Sequence, residues 1–330
     1  MPASFWFLCA LLLTACADSG PGVTKLEGNT MGTRYHITLV GLQADRVKLQ
    51  KAVERELETV NRHLSTYRPD SELSRFNRAP IDQWIEVSQT LFDVLRISHR
   101  ISELSGGAFD PTVGPLVDLW GFGPEPRTQV PAPQAVARAL QQVGYRAVAI
   151  HPDRTALRKT APVSVDLSGV AKGYGVDRLA RLFDTMGALD YLVEIGGELR
   201  LKGVNAGGRH WRIGIETPSL AGGAGKAFKV TNAGVATSGD YRNYYEIDGK
   251  RYSHTIDPRT GYPIDHPLAS VTVVAPTSAE ADALATALNV LGPTAALALA
   301  TKQDIAAYFI EKVDAGFREY YSPTFEPYLP

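Results

Sequence analysis

The chain has 330 residues, of which 44% are hydrophobic and 21% charged, a globular balance that excludes intrinsic disorder, collagen and coiled coil. Its 34 Lys and Arg against 35 Asp and Glu leave a net charge of −1, so whole-protein attraction to nucleic acid is excluded as a mode of action. The two cysteines, Cys9 and Cys16, cannot make a disulfide framework or a multi-cysteine zinc site.

Residues 3–15 read ASFWFLCALLLTA, an apolar run of signal-peptide length that is too short for a comfortable transmembrane helix. It ends in Leu13-Thr14-Ala15-Cys16, small residues before a cysteine, the pattern of a bacterial lipobox. An ordinary secretory signal or a retained anchor is the alternative, and no Lys or Arg precedes the run. On the lipobox reading residues 1–15 are a signal peptide that takes Cys9 with it, and residues 16–27 are a lipidated Cys16 and a polar tether. Residues 28–330 are then the folded body, anchored on the periplasmic face of a bacterial membrane with no free thiol for catalysis. Ala17, not Asp, follows Cys16, with Asp18 one step later, which leaves inner and outer membrane both open.

Residues 34–40 (RYHITLV) predict a strand. Leu49, Val53, Leu57, Val60 and Leu64 recur at three- and four-residue steps and predict a helix over 44–64. Residues 65–77 read as a polar loop, and 88–104 as a second amphipathic helix stopped by Gly106-Gly107. The Gly-, Pro- and aromatic-rich stretch 106–126 reads as a structured loop, and 133–144 as a short helix. Strands are expected at 147–150 and 163–166, then a helix from a Ser168 cap to about Met186. Short β segments follow at 191–195, 198–202, 211–216, 228–231, 244–247, 252–256 and 268–274, with Asp248-Gly249 as a hairpin turn. Thr277 and Glu280 form a capping box opening a helix to about Leu291. Gly292-Pro293 breaks it before a second helix to Lys302 and a strand at 306–311. The absence of strict βαβ alternation favours an α+β fold with mixed, largely antiparallel sheets.

Asp282 and Thr286 stand one helical turn apart and share a face. They are hard oxygen ligands suited to Mg²⁺, or an Asp that complements the helix dipole beside an ordinary Thr. The segment DLSGVAKGY at 166–174 leads from a strand end into a helix, a phosphate-binding geometry or simply a tight turn of small residues. It is no Walker loop, and no Rossmann fingerprint is present. His254 lies beside the Arg259-Thr260-Gly261 turn, as a general base or a structural histidine.

Together these segments resemble the ApbE family, the FAD:protein FMN transferases. The matching stretches are MGT at 31–33, STYRPDSELSRFN at 65–77, GGAFD at 106–110, TVGPL at 112–116 and LWGFG at 119–123. They continue with DLSGVAKGY at 166–174, GGE at 196–198, TSGDYRNYY at 237–245, SHTIDPRTG at 253–261 and EADALAT at 280–286. The resemblance implies a two-lobed, T-fold-like architecture with FAD in the cleft. It implies Mg²⁺-dependent transfer of the FMN half of FAD to a Thr or Ser hydroxyl of a target flavoprotein, forming a phosphoester and releasing AMP. The acceptor would be a membrane redox-pump or reductase subunit. By the same resemblance Met31, Tyr67, Ala108, Phe109, Asp110, Ser168, Lys172, Tyr174 and Ile256 would contact FAD. The Ala171 carbonyl, Asp282 and Thr286 would hold Mg²⁺, and His254 would be the general base. Many members of the family carry an acidic residue where Lys172 stands; a cation there binds phosphate directly or adjusts metal demand. A Mg²⁺-dependent FAD pyrophosphatase or a non-catalytic flavin-binding lipoprotein are the other readings. Asp282, Thr286 and His254 argue against the last, since a pure binder needs no metal or base.

Overall fold

The computed structural model describes residues 21–123, 126, 128–216, 224–239 and 243–330; the expected signal segment, Cys16 and residues 240–242 lie outside the described residues. The described chain opens on a hairpin of β1 (Val23–Thr30) and β2 (Thr33–Val40). β1 takes up residues 23–27, expected as tether. Only Leu26 and Thr30 of its VTKLEGNT are buried, so an edge strand hides behind a polar sequence. In α1 (Arg46–Leu64) the Asp45 side chain accepts from the Lys48 N–H, and the predicted stripe from Leu49 to Leu64 is the buried one. The expected loop 65–77 is in part helical: Ser71 caps α2 (Glu72–Arg78) by accepting from the Ser74 N–H.

β3 (Ile85–Glu86) leads to α3 (Gln89–Leu104), capped by Ser88. The stretch 106–126 contains a short helix, α4 (Gly114–Leu119), and α5 (Pro133–Leu140) follows; each has Pro in its first turn, where a missing N–H costs nothing. β4 (Val148–Ile150) and β5 (Ala156–Lys159) join β3 in a small sheet of order β3-β5-β4. Residues 163–166, expected as a strand, belong to no ladder. Then come α6 (Ala171–Thr185), β6 (Asp190–Ile195), β7 (Glu198–Lys202), β8 (Trp211–Glu216), β9 (Ala224–Val230) and β10 (Ala233–Gly239). β11 (Tyr244–Ile247), β12 (Lys250–Ser253), β13 (Leu268–Ala275), α7 (Ser278–Lys302), β14 (Ala306–Val313) and β15 (Gly316–Tyr321) follow, and a 3₁₀ helix at Pro323–Tyr328 ends the chain.

The main sheet has the order β1-β2-β6-β7-β10-β13-β14-β15, antiparallel throughout. β13 (LASVTVVA) is buried along its whole length, the pattern of a strand covered on both faces. On one face α7, α3 and the end of α1 make the largest core with Val271 and Val273, and α6 with the start of α1 packs a second core on Ile37, Leu39, Val193 and Ile195. On the other, the β8–β9 ribbon and Phe325 close over Leu201, Val235, Val274 and Tyr308. Gly292, at φ 75° and ψ 174°, breaks α7 where the sequence predicts it. α7 is long and apolar enough to cross a membrane by composition, yet it packs against α3, α6, β10 and β13 as a core helix. The architecture is the expected α+β.

Candidate active site

A cleft of about 1140 Å³ opens between the sheet with its two long helices and the α1–α2, α4 and β12 regions, room for a dinucleotide-sized ligand. One wall is built where α6 and α7 begin. A β-carbon on Gly173 would lie 2.4 Å from the Ser278 carbonyl oxygen, so only glycine lets the helices approach this closely. Asp177 ties the same junction, accepting from the Ser278 and Ala279 N–H groups at 2.9 Å each. The approach carries Asp282 into the cleft wall, where its Oδ2 accepts from the Gly173 N–H at 3.1 Å. Thr286 follows one turn later. Its Oγ1 is 3.4 Å from where a β-carbon on Gly169 would sit. Ala171, the first residue of α6, lines the same wall. Carboxylate, hydroxyl and carbonyl are hard oxygen donors, the donor chemistry of Mg²⁺, so these residues fit the expected ion.

Lys172 stands beside them, its Nζ 3.1 Å from Glu198 Oε1. Burial alone would lower the lysine's pKa, but the carboxylates of Asp282 and Glu198 outweigh it and raise it. Burial raises Asp282, opposed by the Lys172 ammonium and the Gly173 N–H.

The facing wall carries His254, which follows β12. Its Nδ1 lies 3.0 Å from the Asn243 carbonyl oxygen. A carbonyl only accepts, so Nδ1 bears a proton, and in the neutral ring Nε2 carries the lone pair. Phe122 meets the imidazole edge-on at 6.3 Å and stacks on Tyr245, which stacks in turn on Tyr252. Trp120 continues the column and donates from Nε1 to the Gly261 carbonyl at 2.8 Å.

The remaining walls hold the other expected ligand contacts. Met31 sits in the β1–β2 turn at φ 48° and lines the cleft with Tyr67, Ala108, Phe109, Asp110, Ser168 and Ile256. Tyr67 is 66% exposed, a ring at the mouth. The Asp110 side chain is spent on its own loop: Oδ1 accepts from the Thr112 N–H and hydroxyl, Oδ2 from the Tyr145 N–H. Ser168 is no helix cap; its hydroxyl and N–H donate to Asp166 Oδ1, and α6 starts after Val170 without a side-chain cap. Tyr174 is the residue the structure does not bring in. It is 1% exposed, packs in the core and is absent from the cleft lining. Helix positions two apart point about 200° away from each other, so a cleft-facing Lys172 turns Tyr174 inward.

Two polar residues carry more of the site than the sequence assigned them. Asn77 bonds the Val165 backbone reciprocally, Nδ2 to its carbonyl and Oδ1 from its N–H, both at 2.8 Å. This holds residues 163–166 in place of a sheet partner. Glu198 begins β7 as an inward-facing acid, a signal legible in the GGE turn.

Residues 31–309 match the sequence model of the ApbE family. The chain is 44% identical over 328 residues to the FAD:protein FMN transferase of Vibrio cholerae, covering 98% of this chain and 97% of that one. It is 44% identical over 318 residues to that of Haemophilus influenzae, covering 93% and 92%. The structure of the flavin transferase ApbE from Vibrio cholerae matches with a TM-score of 0.87 at 43% identity, over 94% of this chain and 100% of that one. That of the apo form of the Pseudomonas stutzeri flavinyl transferase ApbE matches at 0.86 and 39% identity, over 94% and 98%. A family match across most of the chain, the same fold and a cleft lined by the shared motifs lead to one conclusion: the chain belongs to the ApbE family.

Proposed function

We propose that this chain transfers the FMN half of FAD to a Thr or Ser hydroxyl of a target flavoprotein, releasing AMP. The observation that carries the reading is the joint placement of His254 and the Asp282–Thr286 pair on one dinucleotide-sized cleft. The relatives' activity, FAD:protein FMN transfer, supports it.

The acceptor oxygen attacks the phosphorus of the FMN half, and the anhydride bond to the AMP phosphate breaks. AMP departs with the bridging oxygen and its electron pair. An alkyl hydroxyl is a poor nucleophile at neutral pH, and a positioned base contributes about 10²–10⁴-fold. His254 Nε2 takes that proton, because the Asn243 carbonyl holds Nδ1–H. The edge of Phe122 restricts the ring's rotation. Ala171, Asp282 and Thr286 would hold Mg²⁺, which when bound offsets the pyrophosphate charge. Lys172 adds a fixed positive charge to the same wall. Met31, Tyr67 and Phe109 would pack on the flat portions of FAD and exclude water, which favours transfer over hydrolysis.

The sequence of residues 3–16 supports a lipid anchor at Cys16 on the periplasmic face of the membrane. That location would place the cleft beside a membrane redox-pump or reductase subunit as acceptor.

The test is the intact mass of a Thr-containing acceptor peptide incubated with the protein, FAD and Mg²⁺. A fluorescent product heavier by one FMN, lost with chelator, is the expected result. Unmodified peptide beside free FMN and AMP would assign the pyrophosphatase activity instead.

A further inference from the structure

The cleft wall holds one ammonium between two carboxylates. Lys172 Nζ pairs with Glu198 Oε1 at 3.1 Å and forms no ion pair with Asp282, whose negative charge nonetheless raises the lysine's pKa. Glu198 is 4% exposed and lines the cleft. Its second oxygen, Oε2, is buried and has no hydrogen-bond partner among the described residues. A buried carboxylate oxygen left unpaired is costly, and such groups are retained where they have a task.

The cluster contains a competition. A divalent cation at Asp282 needs the carboxylate that attracts Lys172, and the ammonium repels the incoming ion. Oε2 offers a way out. With one oxygen already on the ammonium and the other open, Glu198 can take Lys172 on both oxygens and leave Asp282 to the metal. Glu198 cannot drift to follow, since it is fixed by the β7 ladder, paired with Ile195 of β6.

We propose that Glu198 is a positioning residue that holds Lys172 away from Asp282 and thereby sets the affinity of the Asp282–Thr286 site for a divalent cation. The proposal rests on the reading of Asp282 and Thr286 as cation ligands. Glu198 acts on the site by holding Lys172.

The experiment is a Mn²⁺ titration of the full chain without FAD, with free Mn²⁺ followed by electron paramagnetic resonance and folding checked by melting. The wild-type chain binds Mn²⁺. Glu198→Gln weakens Kd about tenfold, the effect of one partly screened charge. The double variant Glu198→Gln with Lys172→Met recovers wild-type affinity or better, which a merely structural role for Glu198 would not produce. Lys172→Met alone tightens binding, and this arm stands even where Glu198→Gln fails to fold. A wild-type Kd in Glu198→Gln, a double variant as weak as the single one, or a Lys172→Met chain that binds no tighter overturns the proposal. So does a wild-type chain that binds no Mn²⁺. Asp282→Ala separates the two layers: loss of Mn²⁺ binding there upholds the ligand assignment, and wild-type affinity there overturns it together with the role of Glu198.

Discussion

The Asn243 carbonyl accepts twice from His254, from its backbone N–H at 3.1 Å and from Nδ1 at 3.0 Å. Backbone and ring are thus clamped to one oxygen, and the tautomer is decided by a group that cannot donate. His254→Ala removes the base but none of the expected FAD-contacting residues. Transfer should fall about 10²–10⁴-fold, with FAD affinity, read by flavin fluorescence, within a few-fold of wild type. Weak FAD binding with normal turnover at saturation would sink the base assignment.

The α6–α7 junction tolerates no side chain at Gly173. Gly173→Ala places a methyl 2.4 Å from the Ser278 oxygen and 2.8 Å from Ala279 Cα, both backbone atoms that cannot swing aside. Overpacking of this kind costs about 1–3 kcal/mol, and the helices must part at the place that sets Asp282. Thermal melting should show the loss, and Mn²⁺ affinity should drop in the fraction that folds. A variant with unchanged Tm and Mn²⁺ binding would contradict the close approach.

Asn77 replaces a missing strand partner for Val165. Asn77→Ala leaves a backbone N–H and a carbonyl of the cleft wall without their partner, at about 1–3 kcal/mol for each buried group left unsatisfied. Denaturant unfolding should show the cost. FAD affinity should fall as well, since Asp166, Leu167 and Ser168 continue the same segment into the cleft.

Lys159 supports that arrangement from behind, with Nζ donating to the Asn77 carbonyl. It is 5% exposed, and burial lowers its pKa below 10.5. In the window between the lowered value and about 10.5 the unfolded chain binds more protons than the folded one, so stability from this group rises with pH. The contribution is present above the unfolded pKa and lost as pH falls through the folded one. Lys159→Met should remove that rise. The difference in melting temperature, wild type minus variant, should therefore grow across alkaline pH up to about 10.5; a difference that shrinks would reverse the sign.

The sequence reveals elements whose local chemistry announces them. Ser88, the Thr277–Glu280 box and the five-residue apolar stripe of α1 define helices that the structure reproduces within a residue or two. The Asp248-Gly249 turn, with positive φ at both residues, gives the β11–β12 hairpin. β10 escapes because it is made of Ala, Gly, Thr and Ser around one Val, small residues that let α7 lie directly on it and carry little β signal. β15 escapes because its exposed GFREYY lies at the sheet edge. At the site, every expected residue among those described reaches the cleft except Tyr174, whose helical phase turns it into the core. What no spacing shows is the side-chain pairing across long separations, Asn77 with Val165 and Lys172 with Glu198.

The same separations bear on how the molecule comes together. The turn carrying Met31 is held in the sheet by the pairing of β2 with β6, Tyr35 opposite Ile195. His36 and Glu194, which also meet there, are 158 positions apart. Closing a loop of that length costs about 4–5 kcal/mol of chain entropy beyond a constant, which other contacts must supply first. Met31 is thus a wall of the pocket that long-range pairing holds in place. A chain still emerging from synthesis holds no complete flavin cleft until β6 has found its N-terminal partner and α7, further downstream, has been made.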